Sequence, residues 1–320
     1  MRTNYSDYTS DYAEGIYLDR HLTDLTKFLC CIMVALHHYS QYALSNNISH
    51  NIVYRLFSTQ GGYLGVGIFF FLSGYGLIKS DLLNHLSFFS FIKKRLIKVY
   101  IPVLLVTTMW LPTRSYFLKE SIEWQDIAGI LWNWKDAVLW FIRTILELYI
   151  VFYLYSFIRI KFKTQTKRLI LCFSFFIISV IIAIYTESLH TLSTPLFFLG
   201  ISIGEFGIMR KVFRNTILVG CFLVVVSLLC YLSRHNMFAI HGLFNYYVIF
   251  ISLWICSHWK LSIPKLPKCI GNSAFDVYLV HNKVLIVSRE LLPVVPIGEF
   301  IIVTFVVTII FYNIRMLLKV

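Results

Sequence analysis

The 320-residue sequence has few charged side chains, at 14% of residues, whereas 58% of residues are hydrophobic and 17% are aromatic. A soluble domain carries about 25% charged and about 45–50% apolar residues. The hydrophobic excess is spread along the whole chain, which excludes a disordered protein and a soluble enzyme with one membrane anchor. Apolar runs are continuous for about 17–22 residues, the length a helix needs to cross a bilayer. We therefore predict an all-α, polytopic transmembrane helix bundle.

Paired cysteines and metal-binding spacings are absent from the sequence. None of the seven cysteines forms a Cys-x-x-Cys pair, and no His/Cys spacing suits zinc. Internal repeats and low-complexity segments are also missing. We expect no metal site and no permanently bound cofactor. The polar, acidic first 24 residues do not read as a cleaved secretory signal. The predicted division is a cytoplasmic segment over 1–24, one membrane domain over 25–315 and a short cytoplasmic tail over 316–320.

Hydropathy predicts ten spans, and the ninth is the most polar of them. They cover residues 25–44, 61–78, 96–111, 138–158, 169–186, 192–208, 216–232, 238–257, 275–292 and 297–314. The net charge of +13 is distributed unevenly, because 21 of the 29 Lys and Arg residues fall on the side of the chain's N-terminus. Under the positive-inside rule both termini are cytoplasmic. The charge therefore reports membrane topology, and we expect no nucleic-acid partner.

The outer connection over residues 112–137 combines tryptophans with carboxylates. These residues are Trp124, Trp132, Trp134, Glu120, Glu123, Asp126 and Asp136. One interpretation is an interfacial amphipathic segment with an aromatic belt. The other is a carbohydrate platform, since aromatic faces stack on sugar rings and carboxylates accept hydrogen bonds from hydroxyl groups. The sequence leaves both open.

Two ionisable residues of the first predicted span, Lys27 and His38, are eleven positions apart. At roughly 100° and 1.5 Å per residue, they point in nearly the same direction and lie about 16 Å apart along the helix. A cation at the inner rim and an imidazole deeper in the membrane suit a long anionic molecule that enters from the cytoplasm. Snorkelling of Lys27 to the interface and simple packing of His38 beside His37 are the alternatives.

Two further segments each allow a structural and a functional interpretation. Six glycines in residues 61–76 permit close approach of either a neighbouring helix or a ligand. The basic run over 94–98 contains Arg95 and Lys98, which share a face in a regular helix. It is explained either as a topological signal or as a clamp for phosphate groups.

Together these segments resemble acyltransferase family 3, the multi-span bacterial O-acyltransferases that modify cell-surface glycans. That family carries Arg or Lys, ten residues and then His in its first span, as Lys27 and His38 do. Its second-span pattern Gly-Val-Asp-x-Phe-Phe-x-x-Ser-Gly is similar to residues 65–74, except that Gly67 stands where the family usually has an acid. Further matches over residues 20–315 are Arg95, Lys98 and Pro102, the segment 139–142, and Tyr278 with His281.

The resemblance implies an O-acetyltransferase of the bacterial cytoplasmic membrane. Its donor substrate would be cytosolic acetyl-CoA, and its acceptor a hydroxyl of a cell-surface polysaccharide or lipid-linked glycan. His38 would be catalytic, as general base or transient acyl carrier. The residues expected to bind the donor are Lys27, Arg95, Lys98, Ser73 and Gly74. The residues expected to line the substrate cavity are His37, Trp140, Arg143, Glu147, Tyr278 and His281.

The competing interpretation is a transporter or flippase for lipid-linked sugars or small anions. Ten spans, basic inner loops and buried polar residues suit that class as well. The lack of inverted repeats and the Lys27–His38 spacing favour the enzyme. Within the predicted cavity, Arg143 and Glu147 are four residues apart, so a structural ion pair is the simpler explanation for them.

Overall fold

The computed structural model describes residues 18–83, 87–131, 140–186, 193–206, 209–233, 235–259 and 268–318. Most of the predicted cytoplasmic segment 1–24 lies outside these ranges, as do Trp132, Trp134 and Asp136 of the outer connection. Every regular element within the ranges is helical. The elements are α1 (Arg20–Ser45), α2 (Ile52–Leu56), a π-helical turn (Phe57–Gly61), α3 (Gly62–Leu83), α4 (Phe88–Arg95), a second π-helical turn (Leu96–Tyr100), α5 (Ile101–Leu118), α6 (Trp124–Leu131), α7 (Trp140–Lys161), α8 (Gln165–Thr186), α9 (Thr194–Glu205), α10 (Met209–Arg214), α11 (Thr216–Leu232), α12 (Met237–His258), α13 (Lys268–Leu291) and α14 (Ile297–Leu317).

Within the described ranges, each of the ten segments predicted as spans overlaps a helix or a continuous helical run. Six helices in the described part of the chain are long and apolar enough to cross a membrane. They are Ile52–Leu82, Phe88–Leu118, Trp140–Lys161, Gln165–Thr186, Ala239–His258 and Ile297–Leu317. Helices α9 and α11 are apolar but only 12 and 17 residues long. Helices α1 and α13 have 26 and 24 residues but carry more polar side chains.

The helix that contains the third predicted span extends beyond residue 111, because it does not stop at Pro112. Helix α5 continues through that proline to Leu118 and ends where Lys119 takes a left-handed φ of 58°. A proline removes one backbone N–H from a helix, but apolar membrane helices tolerate it when neighbouring groups satisfy the freed carbonyl. The outer connection therefore begins with a helical turn.

Carboxylates of the outer connection are paired with a cation of the same segment. The Arg114 guanidinium lies 3.0 Å from a Glu120 oxygen and 2.7 Å from an Asp126 oxygen. The Trp124 side chain is 78% exposed. These two carboxylates therefore hold the helical turn against α6. The carbohydrate-platform interpretation of the connection stays a prediction.

The chain divides into two compact units. The first comprises Met1–Thr23, Val66–His85 and Ile145–Lys265, and the second comprises Asp24–Gly65, Leu86–Thr144 and Leu266–Val320. In the second unit, α1 packs against α13 and α14. The Tyr39 hydroxyl donates to the Val295 carbonyl at 2.9 Å, the Val295 N–H donates to the Tyr42 hydroxyl at 3.1 Å, and Tyr39 stacks on Phe300. These contacts fix the C-terminal end of α1 at the connection between α13 and α14.

In the first unit, glycines bring α3 and α9 into backbone contact. A Cβ atom on Gly74 would lie 2.0 Å from the Phe197 carbonyl oxygen, and one on Gly200 would lie 2.0 Å from the Phe71 oxygen. No side chain fits at that separation, so each glycine is required for the crossing. The glycine run therefore includes a helix-packing contact, as the structural interpretation predicted.

A buried ion cluster joins the C-terminal ends of three helices in the same unit. The Arg159 guanidinium, at the end of α7, lies 2.8 Å from Asp81 of α3 and 3.2 Å from Glu205 of α9. The Ser156 hydroxyl donates to Asp81, and the Tyr155 hydroxyl donates to Glu205. Arg159 is one of the 21 cations that the sequence analysis explained by membrane topology alone, whereas in the folded chain it binds two carboxylates.

Candidate active site

Two of the predicted site residues, His38 of α1 and His281 of α13, face each other in the second unit. Their ring centroids are 5.3 Å apart and their planes are inclined by 26°, which is a stacked arrangement. His38 is half-buried and His281 is fully buried. The structure therefore brings together two imidazoles from distant parts of the chain, and only one of them is closed off from its surroundings.

Hydrogen bonding defines which nitrogen of His281 carries the proton. Its Nδ1 atom lies 3.1 Å from the Val277 carbonyl oxygen, one turn earlier in α13. A carbonyl only accepts, so Nδ1 is the donor, and in the neutral ring Nε2 keeps its lone pair. Among the described residues, Nε2 has no hydrogen-bond partner although it is buried. The pair thus contains a basic nitrogen whose ring is already oriented by the helix backbone.

Aromatic side chains enclose the histidine pair on the α13 side. Tyr278 lies 5.8 Å from the His281 ring, and Phe141 contacts Tyr278 edge-to-face at 5.2 Å. Both aromatic residues are buried. Trp140, predicted for the cavity, precedes Phe141 at the start of α7 and is half-buried. Low polarity around an imidazole strengthens electrostatic interactions with any group that it contacts.

His37, the neighbour of His38, is held by the backbone of the adjoining π-helical turn. Its Nδ1 donates to the Phe57 carbonyl at 2.9 Å, and its ring packs at the edge of Tyr63. A Cβ atom on Gly62 would lie 2.6 Å from the His37 ring. His37 therefore fixes the position of α1 relative to the start of α3, and its predicted contact with substrate stays a prediction.

The three cations predicted to bind the donor are Lys27, Arg95 and Lys98, and the last two do not lie on one regular α-helix. Lys27 is half-buried on α1, which is unbroken between Lys27 and His38 as predicted. Arg95 is half-buried, with its guanidinium 5.4 Å from the Phe91 ring centroid, whereas Lys98 is exposed. A π-helical turn begins directly after Arg95 and changes the helical period. The expectation that Arg95 and Lys98 share a regular helix face therefore does not hold, while their phosphate role stays a prediction.

The other predicted site residues lie on α3 and α7. Ser73 is half-buried and Gly74 is packed against α9. Arg143 and Glu147 are both exposed on α7. Their ion pair stays a prediction, as does the expectation that Ser73 and Gly74 contact the donor.

The sequence missed two interactions that hold α13. Asp276, fully buried, accepts from Arg315 of α14 at 2.7 Å, and the Lys283 ammonium lies 5.2 Å from the Trp110 ring centroid of α5. The sequence feature that could have predicted these contacts is the presence of ionisable residues in an apolar run, since buried charges need a partner. Both contacts fix α13, the helix that carries His281.

Comparison of the chain with known proteins identifies its family. A family model described as an acyltransferase domain matches residues 21–316. No curated protein and no solved structure gives a significant match.

Proposed function

Because the chain belongs to acyltransferase family 3 and is an integral membrane protein, we propose that it is an O-acetyltransferase of the bacterial cytoplasmic membrane. The donor is cytosolic acetyl-CoA, and the acceptor is a hydroxyl of a cell-surface polysaccharide or lipid-linked glycan. The observation that carries the proposal is the stacking of His38 on His281, because it supports an acid–base site in a chain whose family transfers acyl groups.

The proposed reaction uses His38 as the general base. His38 accepts the proton of the acceptor hydroxyl while the hydroxyl oxygen forms a bond to the thioester carbonyl carbon. The carbon–sulfur bond then breaks, and the coenzyme A sulfur leaves with the proton that His38 returns. His281 orients the His38 ring through the stacking contact. Direct transfer of the acetyl group to His38, followed by transfer to the acceptor, uses the same residues.

Lys27, Arg95 and Lys98 are proposed to bind the donor's phosphate groups. All three are cations, and Lys27 is on the same unbroken helix as His38, about 16 Å away along its axis. That separation suits a donor whose phosphates stay near the cytoplasmic surface while its thioester reaches deeper. Arg binds phosphate with two parallel hydrogen bonds, and Lys acts as a point charge.

Ten spans with both termini in the cytoplasm form part of the proposal. Asp81, Arg159 and Glu205 are near the C-terminal ends of the second, fourth and sixth proposed spans, and their ion pairs require these ends to share a side of the membrane. Likewise, Asp276 near the start of the ninth span pairs with Arg315 near the end of the tenth. Each contact supports, within its own unit, a shared membrane side for the ends that it joins. The uneven distribution of Lys and Arg along the sequence supports assigning the cytoplasmic side to the ends of even-numbered spans.

The test uses purified protein in liposomes with radiolabelled acetyl-CoA and the host's surface polysaccharide. His38→Ala should abolish transfer, and His50→Ala, which removes an exposed histidine outside the helices, should leave it unchanged. Lys27→Ala should raise the KM for acetyl-CoA without reducing membrane insertion. Full transfer by His38→Ala would refute the assigned chemistry. A wild-type protein that neither hydrolyses nor transfers acetyl-CoA, but moves a lipid-linked sugar across the bilayer, would support the flippase alternative.

A further inference from the structure

A short helix of the second unit, α4, combines exposed phenylalanines with exposed lysines. It ends in three consecutive cations, Lys93, Lys94 and Arg95. The Phe89 side chain is 83% exposed and that of Phe88 is 43% exposed. The first two of the cations are also exposed. Exposed aromatic side chains that adjoin one another indicate a surface that contacts something other than water.

The two faces of α4 differ in their surroundings. Phe91 and Arg95 are one helical turn apart; Phe91 is only 5% exposed, and the Arg95 guanidinium lies 5.4 Å from its ring centroid. Phe89 and Lys93 are also one turn apart, and in a regular helix both point roughly 160° away from Phe91. The Phe91 face is therefore buried within the protein, and the Phe89 face is left on the surface.

The two exposed lysines have no carboxylate near them in the sequence or in the described structure. No Asp or Glu occurs between Asp81 and Glu120. Within the described ranges, no carboxylate forms an ion pair with Lys93 or Lys94. Cations beside apolar rings are complementary to an anion that carries an apolar part, and anionic phospholipids have this chemistry. A topological signal explains the charges but not the exposed rings.

The position of α4 along its helical run is that of the lipid headgroups. The run Phe88–Leu118 comprises α4, the π-helical turn and α5, and its 31 residues span about 46 Å at 1.5 Å per residue. The hydrocarbon core of a bilayer is about 30 Å thick, and about 40–45 Å with its headgroup layers. Lys93 and Lys94 precede residue 96, where the predicted span begins, by about 3–5 Å. This is the level of the phospholipid phosphates, and in the proposed topology it is on the cytoplasmic side.

We infer that Phe88, Phe89, Lys93 and Lys94 form a binding surface for an anionic phospholipid of the cytoplasmic leaflet. The ammonium groups bind the headgroup phosphate, and the rings contact the lipid where its acyl chains begin. Arg95, on the buried face, is not part of this surface. The inference rests on the proposed function only for the side of the membrane, because the proposed topology assigns this end to the cytoplasm.

The test measures the binding of dioctanoyl phosphatidylglycerol to the purified full-length protein in a neutral detergent, by native mass spectrometry. Dioctanoyl phosphatidylcholine is the zwitterionic comparison. The double variant Lys93→Gln, Lys94→Gln should raise the Kd for phosphatidylglycerol roughly 5- to 30-fold, the effect of losing one or two cations near a membrane surface. Its Kd for phosphatidylcholine should not change. The double variant Lys93→Arg, Lys94→Arg keeps both charges and should bind like the wild type.

A matched control and an aromatic variant separate the surface from net charge. Lys163→Gln with Lys167→Gln removes two exposed cations that follow α7, and it should change the Kd for phosphatidylglycerol by less than about twofold. Phe89→Ser keeps every charge. It should raise the Kd for both lipids about threefold or more, because an apolar contact with the acyl chains is lost.

Four results would overturn the inference. Unchanged phosphatidylglycerol binding in Lys93→Gln, Lys94→Gln would leave these lysines as topological signals. Equal weakening in the control would show an effect of net charge, and unchanged binding in Phe89→Ser would exclude the rings. Displacement of the lipid by coenzyme A would assign the lysines to a donor site.

The competition by coenzyme A and the Phe89→Ser variant keep the test decisive even if the double glutamine variant does not insert. None of these measurements requires acetyl transfer. Failure of the proposed function, a wild type that transfers no acetyl group, is therefore seen separately from failure of this inference.

Discussion

Removing the Arg159 guanidinium should destabilise the protein strongly. In the folded chain Arg159 binds Asp81 and Glu205, whose side chains are only 10% and 4% exposed. Arg159→Met fills a similar volume but removes the cation that lies 2.8 Å from Asp81 and 3.2 Å from Glu205. Breaking a buried ion pair by removing one partner costs about 3–5 kcal/mol, because the remaining charge is uncompensated.

The magnitude is large enough to measure in detergent by thermal unfolding. For a chain of this size, a loss of about 3–5 kcal/mol corresponds to a decrease of roughly 5–15 °C in Tm. The seven tryptophans provide an intrinsic fluorescence signal for the transition. Lys163→Met is the matched control, since it removes a nearby exposed cation with no burial. It should shift Tm by no more than about 1–2 °C, as expected for exposed charges.

A second variant tests whether the loss of stability comes from the buried ion cluster or from the loss of a topological charge at residue 159. The triple variant Arg159→Met, Asp81→Asn and Glu205→Gln also removes the two carboxylate charges that Arg159 contacts, so it should recover much of the lost stability. A single Arg159→Met variant that unfolds like the wild type would refute the reasoning. So would a triple variant less stable than Arg159→Met, because the carboxylates would then not be the source of the loss.

Glycine substitutions provide two further predictions and their control. Gly62→Ala should displace the His37 ring, because a Cβ atom at residue 62 would lie 2.6 Å from it. The acetyl-transfer rate should fall about tenfold or more, since small misplacements near a reacting group reduce rates strongly. An unchanged initial rate would contradict this prediction. Gly200→Ala would place a Cβ atom 2.0 Å from the Phe71 oxygen. The yield of folded protein in size-exclusion chromatography should therefore fall. A normal yield would show that the α3–α9 crossing can relax. Gly220→Ala meets nothing within 4 Å and should leave both measurements unchanged.

Helix positions were predictable because they depend on local sequence. In the described part of the chain, each segment predicted from apolar runs and polar ends overlaps a helix. Helix α1 is unbroken between Lys27 and His38, as the eleven-residue spacing required. The differences from the predicted span end and helical period also have local causes. Pro112 does not end its helix, and a π-helical turn follows Arg95, so a regular helical period fails there.

The sequence by itself determined that this protein is a helical membrane protein and which motifs relate it to its family, because composition and period are properties of consecutive residues. Only the tertiary structure decided that His38 stacks on His281 and that Arg159 binds two carboxylates. The reason is that apolar residues make up 58% of the chain and dominate its helices. Hydropathy therefore does not distinguish one neighbour from another, and partners are selected by close packing and by the few polar groups that must be satisfied.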